Sequence, residues 1–305
     1  MKNIVTIGGG NGQSMLLREL KKYNWHITSV VSMVDNGGST GRLREEFGVL
    51  PSGDIRRCLS ALATKNKPLQ ELMAYRFPQG DLKGHNLGNL LMLILEKELG
   101  GYEKMIEHLS KELKIKGRAL PVTLQPTNLI AELNNGKKIF GETNIDVPKH
   151  NTDSKIKKVY LEKKVKANPK VLSAIKQADY IVYTIGDLYT SIIPNLLVAG
   201  VKEAIEKSKA QKIYTCNRTT KKGETHGFTV ADYVFVLKQY LGKNSLDYII
   251  VDKNIAKPPK GYELVKCIEP VEAEVIKADI SSEEDRAHIN AKKLAKAIWN
   301  LCQKP

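Results

Sequence analysis

Short apolar runs alternate with longer runs of helical period along the first hundred residues. Residues 4–7, Ile-Val-Thr-Ile, are all β-branched and mostly apolar and predict a buried strand. Met15, Leu16, Leu17 and Leu20 recur at helical spacing and predict a helix over 11–22. A second buried strand follows over 27–34, then helices over 55–63, 69–75 and 87–99. Strands separated by helices imply a parallel sheet covered on both faces, because each crossover lays a helix on the sheet.

The middle of the chain has a different rhythm. Residues 122–124, 129–133 and 138–141 read as strands, with Asn134-Asn135-Gly136 as a tight hairpin turn. Residues 156–161 add another. These predict a small antiparallel insertion at about 118–165 within one domain spanning 1–305. Alternation then resumes: helix 169–177, strand 180–185, helix 194–208 opened by Pro194, strand 212–215, a helix capped by Thr229, and strand 247–251. Ser281 has the spacing of a capping box for the last helix, and residues 257–260 read as a linker-like loop. The expected fold class is α/β: three-layer and Rossmann-like, a mostly parallel sheet with helices on both faces and a small antiparallel β insertion.

A hydrophobic content of 42% over 305 residues supports a large core and argues against disorder. Cys58, Cys216, Cys267 and Cys302 are far apart and form no Cys-x-x-Cys pair, so reduced thiols are expected, not a disulfide framework or zinc site. No apolar run approaches the ~20 residues of a membrane helix, and Met1-Lys2 lead straight into the first strand, so a cytoplasmic protein without membrane attachment is expected. The formal charge of +15 raises nucleic acid as a partner. Dispersed lysines and 6% aromatics argue against it, since single strands need stacking platforms. The densest lysine stretch, 155–166, alternates with Ile156, Val159, Leu161 and Val165 and reads as a solvated strand face. A phosphorylated small molecule accounts for positive charge equally well.

Polar chemistry gathers after predicted strands. Gly8-Gly9-Gly10-Asn11-Gly12 stands between strand and helix, where glycine lets the backbone approach an anion at a helix N-terminus. Gln13 occupies the place of the third glycine in the dinucleotide fingerprint, and no acidic residue ends strand two. An NAD-type dinucleotide is therefore a weaker reading. Asp35-Asn36-Gly37-Gly38-Ser39-Thr40-Gly41 follows strand two, with Arg42 and Arg44 available to balance phosphate. Asp54, after Gly53, is either an N-cap or a group orienting a hydroxyl or metal-bound water. His85, Asn86 and Asn89 open a helix. Gly186, Asp187, Tyr189 and Thr190 follow the strand at 180–185, and Asn217 and Arg218 follow the next. In an open parallel sheet such loops share one crevice. No nucleophile–base pair is evident.

As an ordered set these motifs, with Pro194-Asn195-Leu196-Leu197 and Gly223-Glu224-Thr225, resemble the YvcK-like gluconeogenesis factors, formerly UPF0052, which are related to the CofD 2-phospho-L-lactate transferases. The resemblance runs from about residue 3 to 251. It implies a cytoplasmic nucleotide-sugar binder, with UDP-sugars such as UDP-N-acetylglucosamine as ligands and a regulatory role in cell morphology on gluconeogenic carbon sources. The related transferases imply an alternative: phospholactyl transfer from a guanylylated donor with magnesium, Asp35 or Asp54 serving catalysis. A homodimer is left open. The chain departs from the family where Thr184-Ile185-Gly186-Asp187 replaces Gly-Pro-Gly-Ser and where Asn217-Arg218-Thr219-Thr220 replaces Asn-Leu-Met-Thr. Asp187 would repel a phosphate unless a metal intervenes, and Arg218 would restore positive character. His288 and Ile289 stand where the family often has Arg-His. Tyr262, upstream of Glu269-Pro270-Val271, matches a family tyrosine placed to stack on a base.

Overall fold

The computed structural model describes residues 1–148, 154–242, 245–254, 256, 258–268, 271–284 and 286–303. Lys257 of the expected linker, and Glu269 and Pro270, lie outside the described residues. The chain opens with β1 (Lys2–Gly8), α1 (Gly10–Leu20) and β2 (Trp25–Val31), then five helices: α2 (Gly38–Phe47), α3 (Gly53–Leu62), α4 (Lys67–Ala74), α5 (Leu87–Leu99) and α6 (Tyr102–Glu112). Next come β3 (Arg118–Pro121), β4 (Leu129–Leu133), β5 (Lys138–Phe140), α7 (Glu142–Asp146) and β6 (Ile156–Leu161). After α8 (Pro169–Lys176) and β7 (Tyr180–Tyr183), a π-helical turn (Leu188–Ile192) runs into α9 (Ile193–Leu196) and α10 (Val201–Lys207). The rest is β8 (Gln211–Thr215), α11 (Val230–Leu241), β9 (Tyr248–Asp252), β10 (Glu274–Ala278) and α12 (Ala291–Cys302).

Seven strands form one sheet in the order β10-β9-β8-β7-β1-β2-β3. Every pairing in it is parallel. Ile4, Ile7, Val30, Ile181, Val182, Ile213 and Ile249 are fully buried, as strands covered on both faces require. The three-stranded sheet β5-β4-β6 is antiparallel. Strand order reverses between β1 and β7, because the chain goes from β1 to β2 on one side and returns to β7 on the other. A crevice opens at such a switch point, beyond the carboxyl ends of the strands.

Several expectations are corrected. β3 pairs with β2 at the edge of the main sheet, so the antiparallel insertion starts after it, and residues 122–124 form no strand. β2 stops at Val31, beside the terminal Pro121 of β3. The second glycine-rich stretch is partly helical, for α2 begins at Gly38; glycine's low helix propensity hides that start. The helix expected over 194–208 is interrupted at 197–200. There Ala199 exchanges backbone hydrogen bonds with Val165 and Ala167 (3.0 and 3.1 Å), and Gly200 takes φ +97°. Asn290, not Ser281, caps the last helix, its side chain accepting from Lys292 and Lys293. The Thr229 cap forms as expected: its hydroxyl accepts from the Asp232 amide while the Asp232 carboxylate accepts from the Thr229 amide at 2.7 Å. Lys157 and Lys158 of the basic stretch face solvent and pair with Glu132.

Candidate functional site

The crevice at the switch point is a cleft of about 1110 Å³. Its first wall is backbone. The loop after β1 turns at Gly10, whose φ of +68° belongs to the left-handed region that glycine enters without penalty. Gly12 lies so close to the loop after β7 that a Cβ would stand 2.4 Å from the Ile185 carbonyl oxygen. Gln13, in the place of a third glycine, is fully buried: its amide donates to the Ser29 hydroxyl at 2.9 Å and the Val30 carbonyl at 3.0 Å. It ties α1 to β2 and takes no part in the cleft.

Asp54 is not an N-cap. It sits in the first turn of α3, and its Oδ2 accepts from the Gly10 amide at 2.8 Å while its Oδ1 pairs with Arg57. This carboxylate fixes the glycine loop. Asp35 lines the cleft and accepts from the Gly37 amide at 2.9 Å. Burial, and then the neighbouring Asp54 charge, hold the Asp35 carboxyl above its usual range. Glu142 on α7 faces the same cleft and is pushed up to about 8, by burial first and then by Asp35. Several carboxyl groups thus crowd one end of the site.

Of the residues singled out in the sequence, Gly9, Gly10, Asn11, Gly12, Asp35, Gly37, Gly38, Ser39, Gly53, Asn89, Gly186, Asp187, Asn217, Arg218 and Tyr262 line the cleft. The others stand behind it. Asn36 accepts from the Thr143 amide at 3.0 Å, and Arg42 donates to the Lys83 carbonyl at 2.9 Å. Asn86 caps α5, its side chain accepting from the Asn89 amide at 3.1 Å. Tyr189 and Thr190 are buried in the π-helical turn. His85 is 7% exposed and reaches the cleft through Ser39, whose Oγ lies 3.2 Å from His85 Nδ1. Burial, then Arg42, lower the imidazole's affinity for a proton, so it is neutral at pH 7. A hydroxyl joined to a base therefore exists at the cleft wall, a pairing that residues 46 positions apart do not reveal in sequence.

The second wall is built by charged side chains. Asp187 does not stand alone: Lys221 Nζ lies 2.7 Å from Asp187 Oδ2 and 3.1 Å from Glu224 Oε1, and also pairs with Asp146. Burial pulls the ammonium toward neutrality, but Glu224 and Asp187 reverse this, and Lys221 stays charged. Arg218 does not restore positive charge to the phosphate loop. Its guanidinium is 1% exposed and pairs with Asp252 at 2.7 Å. It also donates to the Ala256 carbonyl at 2.8 Å. Asn217 donates to the Gly186 carbonyl at 3.1 Å and holds that loop against β8. Tyr262 is half exposed at the rim, its ring edge-on to His288 at 5.9 Å between centroids.

Sequence reasoning missed Arg57, Arg76, Glu142, Asp146, Lys221 and Lys222, all of which line the cleft. Glu142 and Asp146 are one helical turn apart after Gly141. That signal was visible, but α7 is too short to register as a helix by period.

The matches to known proteins follow this geometry. The sequence pattern of the family described as 2-phospho-L-lactate transferase CofD matches residues 4–294. The chain belongs to the CofD family. A Thermotoga maritima protein named "Putative gluconeogenesis factor" is 48% identical over 84% of this chain and 79% of its own length. A Nostoc sp. protein of the same name is 47% identical over 86% of this chain, and the match spans 57% of that longer protein. The crystal structure of a UPF0052 family member from Bacillus halodurans superposes with a TM-score of 0.92 and 37% identity, covering 98% of this chain and 100% of that one. The three-layer fold and the gluconeogenesis-factor resemblance are thereby shown. Among the described residues, no helix is long and apolar enough to cross a membrane.

Proposed function

We propose that the protein binds a nucleoside diphosphate sugar, a UDP-sugar in the first instance, and acts as a cytoplasmic regulator of gluconeogenic growth and cell morphology. The observation that carries this reading is a glycine backbone wall that shares one cleft of about 1110 Å³ with Arg76 and Lys222. Backbone amides at a helix N-terminus and fixed cations are the groups that hold a diphosphate. A volume just above the range of ordinary small-molecule sites (~300–1,000 Å³) suits a nucleotide with a further sugar better than a bare mononucleotide. In this reading Tyr262, half exposed at the rim, would cover the base. The names of the relatives support the gluconeogenic role.

Calorimetric titration of the full chain at low salt with UDP-N-acetylglucosamine, UDP-glucose, UDP, GDP and NAD tests it. UDP-sugars are expected to bind at least tenfold more tightly than UDP. The reading fails if no UDP-sugar gives a saturable isotherm. A ligand at a hundredfold excess over its Kd adds about 2.7 kcal/mol of stability, so a thermal shift provides a second readout.

A phospholactyl transferase is the second reading, favoured by the Ser39–His85 pair and by the match to the CofD transferase family. Asp35 lines the cleft and suits a magnesium ion, whereas both oxygens of Asp54 are engaged, by the Gly10 amide and Arg57. Magnesium would supply charge neutralisation at a diphosphate. Asp35 would hold it, Asp54 would fix the glycine loop beside it, and neutral His85 would accept a proton through Ser39. Turnover of a guanylylated donor with magnesium, lost in His85→Gln, would establish this reading.

A further inference from the structure

Among the described residues, β10 is the one regular element between the end of β9 and the start of α12. This part of the chain still supplies one side of the cleft, since Gly261, Tyr262, Ala287, His288 and Ile289 line it. Its position therefore depends on bonds to other segments, and those bonds converge on the loop after β8. The Thr220 amide donates to the Glu263 carbonyl at 2.8 Å, and the Val265 amide to the Arg218 carbonyl at 2.9 Å. The Thr219 hydroxyl donates to the Ala287 carbonyl at 3.0 Å.

The Arg218 guanidinium makes the widest set of bonds. Nε donates to Asp252 Oδ2 at 2.7 Å, and Nη2 to the Ala256 carbonyl at 2.8 Å and the Asn254 carbonyl at 3.3 Å. Nη1 donates to the Arg286 carbonyl. Asp252 in turn accepts from the Ile280 amide through Oδ1 at 3.1 Å. Four of the five guanidinium N–H groups are thus taken up inside the protein, and the side chain is 1% exposed. It has no face to offer a phosphate. Instead it ties the loop after β8 to the end of β9, to residues 254 and 256 and to residue 286.

We propose that Arg218 is a positioning residue: without touching the ligand, it holds the Tyr262 and His288 side of the cleft in place, and selectivity for a nucleoside diphosphate sugar over inorganic diphosphate depends on it. The glycine wall is fastened separately. Asp54 accepts from the Gly10 amide, and the Asn195 side chain donates to the Gly8 carbonyl at 3.0 Å and the Ser191 carbonyl at 2.9 Å. Loss of Arg218 therefore frees one side of the cleft and leaves the other. A planar fork reaches four acceptors in different directions, which the point charge of lysine cannot do. The selectivity rests on the nucleotide reading; the positioning does not.

The decisive variant is Arg218→Leu with Asp252→Asn, which leaves no buried charge stranded but also restores none of the bonds to Asn254, Ala256 and Arg286. Hydrogen exchange read by mass spectrometry on the full chain without ligand is expected to be faster by about tenfold or more at 261–266 and 286–290, and unchanged in β1 and β7. Arg218→Lys should do the same, and serves if the double variant does not fold; circular dichroism confirms the fold of each. By calorimetry, either variant should bind UDP-N-acetylglucosamine about tenfold or more weakly than wild type, with inorganic diphosphate changed by less than roughly threefold. A residue that only stabilises the fold would speed exchange throughout the sheet and leave the ratio of the two affinities alone. Wild-type protection at 261–266 and 286–290 in a folded variant, an equal increase across the sheet, or an equal loss of both ligands overturns the proposal. If wild type binds no UDP-sugar, the nucleotide reading fails and the exchange measurement still decides the role of Arg218.

Discussion

The two walls of the cleft are made on different principles. The first wall, from the loops after β1 and β2 and the start of α3, works through backbone conformation. Gly10 has positive φ, Gly12 nearly touches a carbonyl, and Asp54 pins the Gly10 amide. The second wall, from the loops after β7, β8 and β9, works through pairs of charges. Lys221 gathers Asp146, Asp187 and Glu224, and Arg218 is buried against Asp252. Backbone walls are written in adjacent residues and can be read as motifs. Apart from Lys221 and Glu224, these charge pairs join residues 34 to 75 positions apart, and each member read alone is misleading. Asp187 looked hostile to phosphate and Arg218 helpful, yet each is engaged by a partner of opposite charge.

Substitutions separate the two principles. The largest effect is expected on the second wall. Arg218→Leu strands the Asp252 carboxylate, which is 4% exposed, and should cost about 3–5 kcal/mol in denaturant unfolding. Pairing it with Asp252→Asn should recover most of that loss. If the single variant is as stable as wild type, the buried pair does not support this wall. Gly12→Ala tests the first wall. Its Cβ forces the Ile185 loop away, with a cost of ~1–3 kcal/mol and at least a tenfold loss of nucleotide affinity. Unchanged affinity would mean that this close approach does not shape the cleft.

A pH-dependent effect is expected at Glu142, whose carboxyl is raised to about 8 from 4.5. Between those values the unfolded chain releases its proton while the folded chain keeps it. Stability therefore falls as pH rises from about 4.5 to about 8 and levels off above, by the linkage of proton binding to folding. Glu142→Gln should flatten that slope and raise the melting temperature at pH 8 more than at pH 5, as differential scanning calorimetry would show. The smallest effect is expected outside both walls. Lys157, exposed and paired with Glu132 on the insertion, should contribute only ~0–1 kcal/mol when replaced by alanine.

Local patterns foretold more of the fold than of the site. The alternation of apolar runs with helical periods announced a parallel sheet, and the Thr229 cap was legible because its partner is three residues away. α6 carries the helical period of Tyr102, Met105, Ile106 and Leu109, a signal the expectations did not use. β10 was hidden, because Glu274–Ala278 is short and only half-buried at the sheet edge. β3 was misplaced, since a four-residue strand shows no sign of which sheet it joins.

The sequence by itself determined that a glycine-rich turn follows β1 and a glycine-rich stretch follows β2, because φ freedom and close approach are properties of single residues. Only the tertiary structure decided that Gln13 is a buried brace, that Ser39 meets His85, and that Asp187 and Lys221 neutralise one another. Those outcomes depend on distance and burial, and electrostatic energy follows separation in space, not along the chain.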